Sequence, residues 1–389
     1  MKVQQTSSPG FLILLTCLIC FPLTSTAATI SYTGWGSASQ IESIDAEIAA
    51  FQAKHGSLGI DIDSHFVPWD GYHEKLIVQA AAGALPDVML ISGAFFSNIE
   101  IYNVFLDLRP YFERDKLRYD YLPPGTDDFL TINGKLAGMP ADGFRPRDAM
   151  VNLNLDFLSS AGLDQPSWDW TWEDLLQYAQ RLTRDADGDG QNDQFGVDFG
   201  KTTWEGVWEY MLYGYGGSLW NDDYSACAIN SPAAEYVFTF LRDLDSRWQV
   251  HGWTFPEGRV GISIAWANEA ARRLDVVPFS AGLAPLPRGS VARSHRPASG
   301  EVHVYAISKA TPHPEEAWRF VKFLFTEPEA VLARSLNSVV GPAYKPLMDP
   351  FARRLPDKQQ DWLKISLLQL AETPAARPLG DSVLISYDD

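Results

Sequence analysis

Patterns typical of strands and of helices alternate along the first part of the chain, and this alternation constrains the fold most. Ile41, Ile44 and Ile48 recur at helical spacing, whereas the segments on either side are short and apolar or alternating. Neighbouring parallel strands need a helical crossover, so this order indicates an α/β fold with βαβ units. The predicted order is strand 29–32, helix 41–51, strand 60–66, helix 76–84 and strand 88–91.

Later segments predict a second region of the same class. Thr171 and Asp174 form a capping-box pattern at the start of a helix. Ser231 followed by Pro232 indicates another helix start, since proline favours the first helical position. The remaining expected elements are strands at 260–265 and 302–307, an extended connector at 283–287 and a helix at 314–325.

Residues 1–28 have the pattern of a secretory signal peptide. A largely apolar run from Phe11 to Leu23 is shorter than the roughly 20 residues of a membrane span, and an Ala-x-Ala-like stretch follows it. We therefore expect an exported protein that is periplasmic, or extracellular and membrane-associated. Cys17 and Cys20 do not follow small residues, which argues against a lipid anchor, and Cys227 alone would remain after cleavage.

The charge balance excludes some classes of partner. The chain has 49 Asp and Glu against 31 Lys and Arg, a net charge of −18, so it lacks the basic surface that nucleic acids or anionic membranes require. It also contains 13 Trp residues, and this combination favours a neutral, ring-shaped ligand.

Several segments, in order, resemble the extracellular solute-binding proteins of ABC importers, specifically the sugar-binding family that includes maltose-binding protein. They are Phe-Val-Pro-Trp-Asp-Gly-Tyr at 66–72, Ala-Gly-Ala-Leu-Pro-Asp-Val at 82–88, Asn-Gly-Lys-Leu-Ala-Gly-Met-Pro at 133–140, Gly-Gly-Ser-Leu-Trp at 216–220 and His-Pro-Glu-Glu-Ala-Trp at 313–318. The resemblance implies a two-lobe α/β periplasmic binding protein fold (type II), with lobes built from discontinuous segments joined by hinge crossings. It places lobe one at 29–139 plus 286–311 and lobe two at 141–284 plus 313–389.

The same resemblance implies a receptor that captures a sugar or oligosaccharide by hinge closure and delivers it to the transmembrane subunits of an ABC permease. It implies a monomer without enzymatic activity, catalytic residues or a required cofactor. Two alternatives stay open from the residues: a secreted calcium-dependent carbohydrate sensor or adhesion module, and a glycosidase using Asp142 and Glu301 as its carboxylate pair.

A sugar site combines aromatic faces with directional polar groups. In lobe one, Trp35 follows the first strand in a glycine-flanked turn, and Ser92 and Gly93 end the third strand, where open α/β sheets bind ligands. The first crossing carries Asp142, which the resemblance places on a sugar hydroxyl, and Arg145, which would bind hydroxyls or pair with Asp142.

Further ligand-binding candidates come from the other segments. The resemblance gives Trp266 the role of stacking on a sugar, although Ala265 stands where relatives have proline. Trp220 follows a pair of glycines, and Glu301 and His303 lie on the return to lobe one.

One loop resembles an EF-hand calcium loop. Asp185, Asp187, Asp189, Gln191 and Asp193 occupy its positions 1, 3, 5, 7 and 9, and Gly190 supplies the sharp turn. Position 12, normally a bidentate glutamate, is Gly196. The loop therefore predicts a structural Ca²⁺ that is weakly bound or completed by another ligand.

Overall fold

The computed structural model of the chain describes residues 28–372, except 37, 123–125, 144, 147–148, 200–206, 222–224, 253 and 290–299. The predicted signal peptide lies outside the described residues, apart from Ala28. Among the helices that are described, none is long and apolar enough for a membrane crossing.

Thirteen strands are found in the described part of the chain. They are β1 (Ala28–Trp35), β2 (Ile60–Val67), β3 (Val88–Ser92), β4 (Thr131–Ile132), β5 (Lys135–Leu136), β6 (Met139–Pro140), β7 (Arg145–Pro146), β8 (Ala149–Asn154), β9 (Phe195–Asp198), β10 (Val260–Trp266), β11 (Ala281–Ala284), β12 (Gly300–Glu301) and β13 (His303–Ile307).

The same part of the chain contains fourteen α-helices. They are α1 (Ala38–His55), α2 (Tyr72–Ala82), α3 (Gly93–Glu100), α4 (Arg109–Arg114), α5 (Thr126–Leu130), α6 (Leu155–Ser160), α7 (Trp172–Leu182), α8 (Val207–Gly214), α9 (Pro232–Ser246), α10 (Ala267–Val276), α11 (Pro314–Thr326), α12 (Pro328–Ser338), α13 (Met348–Ala352) and α14 (Asp357–Glu372).

The first sheet has five strands in the order β2-β1-β3-β13-β6. Strand β1 is parallel to β2 and to β3, whereas β13 is antiparallel to β3 and to β6. The strands and helices predicted up to residue 91 are present, but the turn expected at Trp35 is wrong, because β1 continues to Trp35 and pairs there with β2. Ile44, Ile48 and Phe51 of α1 are buried, as their helical spacing predicts.

The second sheet has four strands in the order β11-β8-β10-β9, and only β10 and β9 are parallel neighbours. Strand β10 confirms the prediction at 260–265. The extended connector predicted at 283–287 is partly wrong, because β11 continues to Ala284 and pairs with β8. Every residue of β8 is buried, including Asn152 and Asn154, which alternate with Val151 and Leu153.

Helix starts follow their capping residues. Thr171 accepts a hydrogen bond from the Asp174 N–H, and the Asp174 carboxylate accepts one from the Thr171 N–H, which completes the predicted capping box of α7. The Ser231 side chain accepts from the Ala234 N–H at the start of α9, with Pro232 at the first helical position.

The C-terminal helices divide between the two sheets, which corrects one part of the predicted lobes. We expected 313–389 in lobe two, but Trp318, Phe320 and other residues of α11 belong to the core of the first sheet. Helix α11 follows β13 in the sequence and packs its apolar face on the first sheet. Helix α12 contributes Ala330 to the first core and Val331 to a separate cluster with Ala265 and α14, so it lies between the two regions.

Candidate functional site

A pocket opens beside the first sheet, between α1 and α12. Its walls come from β1, β3, α1, the segment after β6, β13 and α12, so residues far apart in sequence meet there. The lining residues are Tyr32, Trp35, Gln40, Ser43, Ile44, Glu47, Leu90, Ala141, Asp142, His303, Tyr305, Arg334, Ser335, Asn337, Ser338 and Val340. Three predicted site residues, Trp35, Asp142 and His303, are brought together here.

Trp35 forms an aromatic wall of the pocket. Its ring meets that of Trp69 edge-to-face at 5.1 Å and that of His303 edge-to-face at 5.0 Å. These contacts fix the indole orientation, as edge-to-face pairs do. Trp35 remains partly exposed, so it offers an oriented aromatic surface to a ligand.

Asp142 and His303 form a hydrogen-bonded pair. Strand β6 pairs with β13, which brings the residues just after Pro140 beside the start of β13. The Asp142 carboxylate lies 2.8 Å from His303 Nδ1 and also accepts a hydrogen bond from the His303 N–H. The pair therefore presents an oriented carboxylate and an imidazole at the same edge of the pocket.

His73 supports the aromatic wall from behind and is held neutral. Desolvation first, and the nearby His303 second, lower the pKa of His73 to about 3. Its Nε2 accepts a hydrogen bond from the Ser92 N–H, and its ring stacks on Phe95 at 4.2 Å. A neutral imidazole is required for that acceptor role, because both ring nitrogens become donors on protonation.

An ion pair between the buried Glu47 and the half-buried Arg334 lies on the α1 and α12 sides of the pocket. The guanidinium of Arg334 donates to Glu47 Oε2 at 3.2 Å and to the Leu324 carbonyl at 3.1 Å. It also lies over the ring of Tyr305. Burial raises the pKa of Glu47, and Arg334 opposes that shift.

Ser92 and Gly93 have packing reasons of their own. Ser92 is fully buried and its hydroxyl caps α3. A Cβ on Gly93 would come within 2.6 Å of the Val302 carbonyl oxygen. The close approach of the Val302 backbone explains why position 93 is a glycine. Ligand contact at Ser92 and Gly93 stays a prediction.

Arg145 and Glu301 lie opposite each other on the paired strands β7 and β12. Their backbones are described, but the positions of their side chains lie outside the description. The register nevertheless brings the two predicted residues together just outside the first sheet, near the crossing from β6 to β8.

Trp220 and Trp266 are partly exposed and belong to the second region. Trp266 ends β10 and directly precedes α10, and Trp220 forms an isolated bridge with Cys227. Among the described lining residues, neither belongs to the pocket beside Trp35. Their roles as ligand contacts stay predictions.

The carboxylates of the acidic loop accept hydrogen bonds from backbone N–H groups of the same loop. Asp185 accepts hydrogen bonds from the N–H groups of Gly188 and Gly190, and Asp193 accepts from those of Ala186 and Asp187. Carboxylate oxygens of Asp185, Asp187 and Asp193 all lie within 4.8 Å of one another, and all three residues are exposed. The backbone donor of Gly190 is the main reason that the pKa of Asp185 is lowered.

Gly196 explains why this loop departs from the calcium pattern at its twelfth position. A Cβ there would lie 2.1 Å from the Ala179 carbonyl oxygen, because β9 packs directly on α7. A glutamate is therefore excluded by packing. A bound ion would rely on the first nine positions and one further ligand, and Ca²⁺ binding stays a prediction.

Sequence reasoning missed several pocket residues, namely Gln40, Glu47, Tyr305, Arg334 and Asn337. Glu47 follows Gln40 by seven residues on one face of α1, so helical spacing was the available signal. No local pattern marks Arg334, because only the packing of α12 beside α1 brings it to Glu47.

Comparisons with known proteins identify the family. The sequence pattern of the family described as bacterial extracellular solute-binding protein matches residues 37–331. A putative binding protein of Brucella abortus (strain 2308) is 24% identical over 291 residues, which cover 71% of this chain and 66% of that relative, just under two thirds of its length.

Two solved structures share the fold. An ABC substrate-binding protein of Listeria monocytogenes in complex with cycloalternan has a TM-score of 0.74 at 21% identity, covering 91% of this chain and 89% of its own. UgpB of Mycobacterium tuberculosis in complex with glycerophosphocholine has a TM-score of 0.72 at 17% identity, covering 90% and 87%. The sheets described above are thus those of a two-lobe solute-binding fold, and the chain belongs to the bacterial extracellular solute-binding protein family.

Proposed function

We propose that this chain is the extracytoplasmic receptor of an ABC importer and that its ligand is a sugar or oligosaccharide. The observation that carries the proposal is the pocket in which the oriented face of Trp35 lies beside the Asp142–His303 pair. An indole packs against the C–H face of a sugar ring, while a carboxylate and an imidazole bind its hydroxyls directionally. Family membership supports the solute-binding part of this function.

The mechanism is capture without covalent chemistry. A ligand that contacts both lobes binds the closed form more tightly than the open form and so shifts the equilibrium toward closure. The first lobe would supply the pocket, and Trp266 of the second would stack on the ligand from the other side. The closed, loaded form is then what the transmembrane subunits of the permease receive.

Tryptophan fluorescence titration tests this function. The purified exported chain would be titrated with glucose, maltose, maltotriose and trehalose, with sn-glycero-3-phosphocholine as a solute of another class. Saturable change with a saccharide, and no product in a reducing-end assay after prolonged incubation, is the expected result. Release of reducing ends would instead indicate the glycosidase alternative, and binding of the phosphodiester alone would overturn carbohydrate as the ligand class.

A further inference from the structure

Glu47 lies at the inner end of the polar face that α1 presents to the pocket. Gln40, Ser43 and Glu47 line the pocket from successive turns of this helix. Glu47 is only 2% exposed, so its carboxylate has left bulk water. A buried carboxylate normally has hydrogen-bond donors on both oxygens, since each unsatisfied one is costly.

The two oxygens of Glu47 differ in their surroundings. Oε2 accepts from Arg334, whereas the buried Oε1 has no hydrogen-bond partner among the residues that the structure describes. Arg334 is committed elsewhere with its second terminal nitrogen, which donates to the Leu324 carbonyl. Glu47 therefore retains an acceptor in the wall of a pocket that is otherwise built to bind a ligand.

The charges around Oε1 also limit what can bind there. Glu47 and Asp142 carry carboxylates, and Arg334 is the one lysine or arginine among the described lining residues. Both terminal nitrogens of Arg334 already donate to protein oxygens. A phosphate or carboxylate on the ligand would thus meet two like charges, and the one guanidinium nearby is already paired with Glu47.

We propose that Glu47 Oε1 accepts a hydrogen bond from a hydroxyl of the bound ligand, and that this residue selects an uncharged polyol end over an anionic one. The inference rests on the proposed function, because it assumes that the pocket beside Trp35 holds the ligand. It adds a binding residue on α1 and a ligand class, neutral saccharides without phosphate or carboxylate at the buried end. Glu47 acts directly on the ligand, while Arg334 positions it.

Glu47→Gln is the sharpest variant. The side-chain shape is kept, and the single amide oxygen is expected to remain on Arg334, so that an NH₂ donor replaces the acceptor facing the ligand. The matched control is Glu42→Gln, the same substitution at an exposed position of the same helix. Each protein would be titrated by tryptophan fluorescence with glucose, maltose, maltotriose, trehalose, glucose 6-phosphate and sn-glycero-3-phosphocholine, and its thermal midpoint recorded.

The expected result is that a neutral saccharide binds the wild type and Glu42→Gln equally, while Glu47→Gln binds it at least about tenfold more weakly. Equal binding by Glu47→Gln overturns the role of Glu47 and leaves the proposed function intact. Binding of glucose 6-phosphate or the phosphodiester in preference to every neutral saccharide overturns the inferred ligand class. Failure of every compound to bind the wild type contradicts the proposed function, and the inference falls with it.

A second measurement covers the case in which Glu47→Gln does not fold. A crystal structure of the wild-type chain with the saccharide that binds most tightly should place a ligand hydroxyl within about 3.2 Å of Glu47 Oε1. A structure in which only water or protein atoms approach that oxygen would rule the proposal out.

Discussion

The two sheets of this chain are built by different rules. In the first, β1 is parallel to both β2 and β3, and the intervening helices α1 and α2 cross over between them. In the second, β8 runs antiparallel to β10 and β11, which come from segments more than 100 residues later. Strands β1 to β3 of the first sheet are therefore local in sequence, whereas β13 and the strands of the second sheet pair across distant segments.

This difference also separates the sites. The first sheet carries the polar pocket, in which Trp35, Asp142 and Glu47 meet. The second carries Trp266 at the end of β10 and lies next to the acidic loop between α7 and β9. The first region thus positions the directional groups, on α1 and beside the paired strands β6 and β13, while the second region would supply a stacking surface and a stabilising loop. The predictions below test that division.

The largest effect, on the stability of the fold, is expected where the backbone of β9 in the second sheet packs against the backbone of α7. Gly196→Ala would place a methyl group 2.1 Å from the Ala179 carbonyl oxygen and force β9 away from α7. We expect a loss of about 3 kcal/mol in the free energy of unfolding, measured by urea titration. Gly56→Ala is the control, because no atom of a non-neighbouring described residue lies within 4 Å of its Cβ position, and it should change stability by less than about 0.5 kcal/mol. Equal stability of the two variants would contradict this packing.

The first lobe should instead be sensitive to mild acid through His73. The pKa of His73 is lowered to about 3, so the unfolded chain takes up a proton below about pH 6.5 while the folded chain stays neutral. Stability that is present above pH 6.5 is therefore lost as the pH falls. Between pH 7.5 and pH 5 the expected loss from this group is about 2 kcal/mol.

Urea titrations at the two pH values measure this loss. His73→Asn should remove most of the pH dependence, whereas His65→Asn, at an exposed position, should retain it. The prediction fails if His73→Asn and the wild type lose the same stability on acidification.

A substitution in the second region, at Trp266, is expected to have a smaller effect, on ligand affinity. Trp266→Ala should lower the affinity for the saccharide identified by fluorescence at least tenfold, about 1.4 kcal/mol, because a stacking face is lost. Val276→Ala, at a highly exposed position on the same helix that follows Trp266, should leave affinity unchanged. An unchanged dissociation constant for Trp266→Ala would remove the second lobe's predicted stacking residue.

The smallest effect is expected from the acidic loop. With its twelfth position occupied by Gly196, a bound Ca²⁺ should add only about 1 kcal/mol at millimolar concentration. EDTA should therefore lower the thermal midpoint by a few degrees, and excess Ca²⁺ but not Mg²⁺ should restore it. Asp185→Asn combined with Asp187→Asn should abolish the response; a midpoint that EDTA does not move would argue against a structural ion.

Sequence patterns predicted the first sheet better than the second. The alternation through 29–91 and the capping residues Thr171 and Ser231 are local signals, and the elements they predicted are present. Strand β8 was not predicted, although Val151 and Leu153 alternate there with Asn152 and Asn154. The connector predicted at 283–287 overlaps the end of β11, whose pairing partner β8 lies far away in sequence. Helix α11 was expected in lobe two, although its buried stripe covers the first sheet.

Sequence alone determined the α/β class, the resemblance to solute-binding proteins and three residues of the pocket, Trp35, Asp142 and His303. These depend on local spacing and on motifs that stay contiguous. Tertiary structure alone decided that Asp142 pairs with His303 and that the Ala179 carbonyl leaves room only for glycine at position 196. It also decided that Glu47 binds Arg334 through one oxygen, while the other lacks a hydrogen-bond partner among the described residues. The physical reason is that hydrogen bonds and close contacts between distant segments depend on how helices and strands pack, which no local pattern encodes.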